Sequence, residues 1–340
     1  MTTDSDVAVR QLDCVIIDTN IWRSQLMLKA PMGVSLVYTL GRQQGFIGLP
    51  EVVERELTKQ VLEHGRDAAE KLAEGSRILN TLTDSPSFPL PASQVKLEQV
   101  VQTRLAELTP ILVRVPFTLS HASAALDMVN AKLPPNGKEN QQFKDSAIWQ
   151  AVLDLSRKYT VHFVTSDRGF FSDRNPSKGL AANLQEDCAA ANGSVAVYGD
   201  LRSCLEAISS DRPQFDRERL KSLIESFVMP GLQAEATRLR YELKELLNAD
   251  IVAFRTTDSN RITMDYTVAM KCELDPSVKH DFEREGRAVA YGSCYYDRMA
   301  DCISDGFIQE IRFLSRTSRH AREFRYEDSS IPFRRLIPWD

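Results

Sequence analysis

The chain has 340 residues, of which 43% are hydrophobic and 26% are charged, and its formal net charge is −5. This composition is typical of a globular protein and excludes a strongly basic surface as the main means of holding a nucleic acid. The length allows two domains, and no apolar run approaches the length that crosses a bilayer. Because residues 1–6 also lack the basic and apolar regions of a signal peptide, the sequence predicts a cytoplasmic protein without a membrane contact.

The first element is a β-branched run over residues 15–17, which ends at Asp18. Such a run is typical of a strand that is covered on both faces of a parallel sheet. Ligands bind at the carboxyl ends of such strands, so Asp18 is placed for chemistry, although the simpler interpretation is a cap of the next helix. A second run over residues 161–164 is followed by Asp167, which repeats the arrangement.

Two more acids lie near the start of predicted helices. A helix that opens at Pro50 places Glu54 on one face with Leu57, and a later helix places Asp145 on one face with Ile148. Each acid alone is readily explained as a partner of the helix dipole or as a solvated residue. Four acids in one α/β pattern would repel each other in a shared pocket, and an oxygen-ligated divalent cation removes that conflict. The set therefore predicts a metal-dependent phosphoryl-transfer site.

The ordered segments resemble the PIN-domain ribonucleases. The resemblance rests on Asp18-Thr19-Asn20, on Glu54, on Phe143-Lys144-Asp145 and on Thr165-Ser166-Asp167. It covers roughly the first three fifths of the chain, and no single segment is specific without the others. It implies an α/β fold with a PIN-like, doubly wound parallel sheet and flanking helices. It also implies a nuclease that hydrolyses RNA and leaves a 5′-phosphate and a 3′-hydroxyl.

The same resemblance implies roles for individual side chains. The residues that would carry catalysis and hold one or two Mg²⁺ or Mn²⁺ ions are Asp18, Glu54, Asp145 and Asp167. Those that would orient these carboxylates or a water molecule are Asn20, Thr165 and Ser166. Those that would contact the substrate phosphate are Lys144 and Arg168.

Beyond residues 209–213 the pattern changes. Apolar residues over 220–228 and at 239, 243, 246 and 247 predict two helices, with a break at Pro230-Gly231. Residues 261–274 alternate between apolar and polar, which predicts a long half-buried antiparallel strand. We therefore predict three parts: a PIN-like nuclease domain at 1–210, a helical connector at 211–248 and a β-rich C-terminal module at 249–340.

The C-terminal module has no catalytic signature. A group of aromatic and arginine residues would suit stacking of single-stranded nucleic acid, but packing within the sheet is the simpler interpretation. The group consists of Tyr291, Tyr295, Tyr296 and Phe307 beside Arg298 and Arg312. Contact with a protein partner or inhibitor is an equal alternative to RNA binding.

The leading hypothesis is a metal-dependent endoribonuclease that acts on single-stranded RNA as a toxin or a phage-defence effector. A phosphatase of the haloacid dehalogenase type also begins with a strand-end aspartate, but it needs a second aspartate where this chain has Asn20. The alternative from another class is a catalytically silent PIN-like scaffold that binds RNA or protein.

Overall fold

The computed structural model describes residues 11–83, 96–137, 140–277, 282–317, 320–325 and 335–336. The chain divides into two compact units with the boundary between Ile208 and Ser209, and Val34–Tyr38 is grouped with the second unit. Within the described residues, no helix combines the length and the apolar character that a membrane span needs.

The first unit contains a five-stranded, all-parallel sheet. Its strands are β1 (Asp13–Ile17), β2 (Phe46–Pro50), β3 (Leu112–Val115), β4 (Thr160–Val164) and β5 (Ser194–Tyr198), in the spatial order β3-β2-β1-β4-β5. The three inner strands are apolar and almost fully buried, as expected for a parallel sheet that is covered on both faces. The predicted α/β class is confirmed.

Helices connect these strands, because parallel neighbours need a crossover. They are α1 (Thr19–Ser24), α2 (Pro31–Gln43), α3 (Glu51–Leu82), α4 (Leu97–Leu108), α5 (Leu119–Asn130), α6 (Phe143–Ser156), α7 (Ala182–Ala190) and α8 (Leu201–Ile208). In α6 the buried residues include Ile148, Trp149 and Val152, which fixes its start near the carboxyl edge of the sheet.

The second unit combines one helix with a long antiparallel sheet. Its elements are α9 (Arg217–Arg238), β6 (Tyr241–Arg255), β7 (Arg261–Leu274), β8 (Phe282–Asp297), β9 (Cys302–Thr317), β10 (His320–Arg325) and β11 (Arg335–Leu336). The sheet order is β10-β9-β8-β7-β6, and β11 pairs with β9. Every second residue of β7 from Ile262 to Leu274 is buried, so the predicted alternation and the additional antiparallel module are confirmed.

The predicted helix break at Pro230 is wrong, since α9 runs without interruption from Arg217 to Arg238. Proline removes one backbone hydrogen bond from a helix. Val228 and Leu232, on either side of it, are fully buried in the core of the second unit, and this packing offsets the local cost.

The second predicted helix of the connector is also wrong, because β6 begins at Tyr241. Leu243 pairs with Cys272 and Leu246 pairs with Met270, although a regular strand would turn residues three apart to opposite faces. A register irregularity between them lets both leucines pack against one core, and it imitates helical spacing. The connector at 211–248 thus contains one helix and the start of a strand, while the bounds of the three predicted parts stay predictions.

Candidate functional site: an acidic cluster at the edge of the parallel sheet

The site lies where the strand order of the first unit reverses. Strands β1 and β4 are neighbours, and the chain leaves them towards opposite halves of the sheet, which opens a crevice beyond their carboxyl ends. Asp18 directly follows β1, and its backbone N–H donates to the carbonyl oxygen of Val164 at the end of β4, at 2.9 Å. Asp167 follows β4 after a short turn. Both strand-end aspartates are thereby brought to one crevice.

Thr165 connects these two aspartates. Its hydroxyl donates to Asp18 Oδ2 at 3.0 Å and accepts from the backbone N–H of Asp167 at 3.0 Å. Asp18 is 6% exposed, and its Oδ1 accepts from the backbone N–H of Thr19 at 2.6 Å, so it also caps α1. Asp18 therefore caps α1 and also lies within the candidate site.

Asp167 is held by the loop that precedes α6. Its Oδ1 accepts from the backbone N–H of Gly169 at 2.6 Å, and its Oδ2 accepts from Gln142 Nε2 at 2.5 Å. The backbone N–H of Gln142 donates to the buried Asn136 side chain at 2.7 Å, which fixes the loop. A Cβ atom at Gly169 would lie 2.4 Å from the carbonyl oxygen of Pro135, so this close approach requires glycine.

Asp145 extends from the first turn of α6 towards the same crevice. Burial raises the pKa of its carboxyl group to about 7, and the charges of Asp167, Asp18 and Glu56 add to this increase, as does a hydrogen bond with Asp167. Burial also raises the pKa of Asp18, against the effect of its hydrogen bonds with Thr165 and Thr19. Crowded carboxylates thus disfavour their own ionisation.

The fourth acid of the cluster is Glu56 rather than Glu54. Glu56 Oε1 accepts from Lys144 Nζ at 3.0 Å and from Gln60 Nε2 at 3.1 Å, and its Oε2 accepts from the Thr19 hydroxyl at 3.2 Å.

Both carboxylate oxygens of Glu54 instead accept from Arg114 Nε on β3, at 3.2 Å each. The structure therefore places Glu56, and not Glu54, among the acids whose charges act on Asp18 and Asp145, and we propose Glu56 as the fourth site residue in place of Glu54. We call Asp18, Glu56, Asp145 and Asp167 the acidic cluster.

The remaining predicted residues differ in their positions. Lys144 reaches the acidic cluster through Glu56, and its side chain is 64% exposed. Asn20 is exposed in α1, and Ser166 and Arg168 are exposed in the segment that follows β4.

Sequence reasoning missed Thr19, Gln142 and Glu56. Helical spacing did not decide between the two glutamates, because Glu56 lies three residues after the buried Val53 and Glu54 lies three residues before the buried Leu57.

The donor set of the acidic cluster suits a hard divalent cation. All four side chains offer carboxylate oxygens, and a positive charge would relieve the repulsion that raises the pKa of Asp145. Among the residues that the structure describes, no three acids, histidines or cysteines are already gathered closely enough to surround an ion. Mg²⁺ typically binds one or two carboxylates directly and keeps several waters, so the cluster fits such an ion without a closed cage.

Residues 15–170 match the family model of the PIN domain, and this stretch includes the whole acidic cluster. No curated protein and no solved structure matches the chain. The chain thus contains a PIN domain over residues 15–170, together with an additional C-terminal region. PIN domains are generally nucleases and typically use divalent metals. The presence of a PIN domain therefore suggests RNA binding.

The electrostatic coupling in the acidic cluster predicts how the pKa of Asp145 responds to single substitutions. Glu56→Gln removes a negative charge and should lower this pKa below about 7, whereas Glu54→Gln should leave it unchanged because Glu54 pairs with Arg114. Side-chain carboxyl ¹³C shifts, recorded against pH in metal-free protein, measure both effects. An equal decrease in the two variants would contradict the assignment of Glu56.

The raised pKa of Asp145 also predicts a pH dependence of stability. Between the ordinary aspartate pKa of 3.8 and about 7, the folded protein keeps this proton and the unfolded chain releases it. The folded state then binds more protons, so the free energy of unfolding should decrease as pH rises through this range in metal-free protein.

Asp145→Asn should remove that part of the slope. Urea unfolding followed by the fluorescence of the buried Trp22 and Trp149 measures it. Equal slopes in the variant and the unsubstituted protein would contradict the prediction.

Proposed function

We propose that this PIN-domain protein is a metal-dependent endoribonuclease that hydrolyses phosphodiester bonds of RNA. One observation carries the proposal: at the switch point of the sheet, the charges of Asp167 and Glu56 act on the buried carboxyl groups of Asp18 and Asp145 and raise their pKa values. Repulsion of this kind costs stability, and it is a common feature of sites whose chemistry needs the charges together. The PIN-domain match over the same residues supports the proposal.

The residues that would hold Mg²⁺ or Mn²⁺, directly or through water, are Asp18, Glu56, Asp145 and Asp167. When bound, the ion would supply a water of lowered pKa and neutralise charge on the scissile phosphate.

The residues around the acidic cluster would hold its geometry during the reaction. Thr165 fixes the relative position of Asp18 and Asp167, because one hydroxyl bonds to both residues. Thr19 fixes the relative position of Asp18 and Glu56, because its backbone N–H donates to Asp18 and its hydroxyl donates to Glu56. Such partners of ligating carboxylates contribute roughly 10- to 100-fold to metal affinity or activity.

Two cations border the acidic cluster. Lys144 pairs with Glu56 while much of its side chain stays exposed, so its ammonium group is available to a phosphate that approaches from solvent. Arg168 is exposed directly after Asp167. We infer that these two residues contact the substrate backbone and stabilise charge on the phosphate.

The sheet of the second unit contains two contacts between an arginine and a tyrosine ring. The guanidinium of Arg312 lies over the ring of Tyr291, with Cζ 5.3 Å from the ring centroid, and that of Arg261 lies over Tyr295 at 5.8 Å. These rings are thus already engaged within the unit, which favours a packing role over base stacking. A protein partner or inhibitor of this module, and the role of a toxin or a phage-defence effector, stay predictions.

Cleavage of a labelled single-stranded RNA by the full chain tests the proposal. We expect cleavage with Mn²⁺ or Mg²⁺, none with EDTA, and a loss of at least about 100-fold in Asp145→Asn. Thr165→Val should lose about 10- to 100-fold, because it removes the hydroxyl shared by Asp18 and Asp167 and keeps the side-chain shape.

Glu54→Gln is the matched control and should cleave at nearly the unsubstituted rate. A folded protein that binds RNA but cleaves none with any metal would instead support the silent scaffold.

A further inference from the structure

Two phenylalanines are unusually exposed near the acidic cluster. Phe117 is 36% exposed in residues 116–120, a stretch after β3 in which every residue is exposed. Phe143 is 39% exposed at the first position of α6. Leaving aromatic surface in water forfeits the free energy that burial would provide, roughly 25 cal/mol per Å². We call Phe117 and Phe143 the aromatic pair.

The rings of the aromatic pair contact each other in a defined geometry. Their centroids are 6.5 Å apart and their planes meet at 86°, which is an edge-to-face arrangement. In this arrangement the edge of one ring meets the face of the other, so each ring keeps surface on which a flat group can stack.

The backbone holds Phe117 in place. Its N–H donates to the Glu51 carboxylate at 2.8 Å, and the next residue, Thr118, caps α5 by accepting from the backbone N–H of His121 at 3.2 Å. The ring of Phe117 also lies 6.4 Å from that of His121. The exposed ring is therefore anchored on rigid elements rather than on a free loop.

The chain order places the aromatic pair beside the acidic cluster. Phe143, Lys144 and Asp145 are consecutive in the first turn of α6, where successive side chains point about 100° apart around the axis. Lys144 bonds to Glu56 of the acidic cluster, and Phe143 lies about 100° from Lys144 around the axis, on the side of the helix away from Asp145, where its ring contacts Phe117. Phe117 follows β3 at the same carboxyl edge of the sheet.

We propose that the aromatic pair is a base-stacking subsite for single-stranded RNA, which binds a nucleobase next to the phosphate held at the acidic cluster. The inference rests on the proposed function, since it needs RNA at that cluster. Stacking on aromatic rings is a general mode of single-strand recognition, and it accepts every base because each has a π-face.

The size of the aromatic pair favours a nucleobase over a folded protein. Two rings that are little more than a third exposed offer roughly 150 Å², taking typical phenylalanine areas. A standard protein interface buries about 800 Å² on each partner. One or two bases match the available area, and a base offers its whole face for stacking where the nucleic acid is single-stranded.

A thermodynamic cycle tests the subsite through binding rather than cleavage. The protein is the full chain carrying Asp145→Asn, in Mg²⁺, and the readout is fluorescence anisotropy of labelled single-stranded RNA. The probes are one RNA of fixed sequence and a set in which a single position is abasic. An abasic position keeps the phosphates and removes the group that would stack.

We expect one abasic position to weaken binding by about 5- to 150-fold, and Phe117→Ala with Phe143→Ala to weaken binding of the intact RNA to a similar extent. In that double variant the abasic position should have no further effect. Phe143→Trp should retain affinity, because it keeps an aromatic face. Leu119→Ala is the matched control: Leu119 is 87% exposed in the same stretch but has no ring, so affinity should not change.

The outcomes separate the subsite from the proposed function. Equal abasic effects with and without the aromatic pair, or no RNA binding at all, would overturn the subsite. Loss of affinity in Leu119→Ala with a change in oligomeric state on sedimentation would overturn it in favour of an apolar self-association surface. A positive cycle with no cleavage by the unsubstituted protein would uphold the subsite and refute the nuclease.

Discussion

The site depends on the electrostatic cost of holding four carboxylates at one edge of a parallel sheet. Asp18 and Asp145 lose contact with water there, and each of them feels the charges of Asp167 and Glu56. The protein offsets part of this cost with donors, namely the hydroxyls of Thr165 and Thr19, the amide of Gln142 and the ammonium of Lys144. The remaining repulsion is what a divalent cation at the proposed site would remove.

The topology of the parallel sheet explains why a few residues are enough to form the candidate site. Because β1 and β4 are adjacent and parallel, the turn after each strand ends at the same crevice, and Thr165 reaches both aspartates from one position. The start of α6 contributes three consecutive side chains with three different partners: a ring against Phe117, an ammonium against Glu56 and a carboxyl within the acidic cluster. The first turn of α6 and the ends of β1 and β4 would thus provide the residues that contact the metal, the phosphate and the base.

The sequence was sufficient for the parts of the site that the backbone fixes. A strand end determines where the next side chain lies, so Asp18 and Asp167 could be placed from the apolar runs before them. Glu54 and Glu56 could not be separated, since the rotation of α3 about its axis depends on β3, where Arg114 binds Glu54. Leu243 and Leu246 mimicked a helix for a related reason: an irregularity in strand pairing is a tertiary feature that spacing does not reveal.

The central claim is that Glu56 joins the three aspartates in a cation site. Electron paramagnetic resonance of free Mn²⁺, titrated with the full chain in the absence of RNA, tests it without requiring activity. We expect the unsubstituted protein and Glu54→Gln to bind Mn²⁺ equally, and Glu56→Gln to bind at least about tenfold more weakly. Weakened binding in Glu54→Gln with unchanged binding in Glu56→Gln, or no Mn²⁺ binding by the unsubstituted protein, would contradict it.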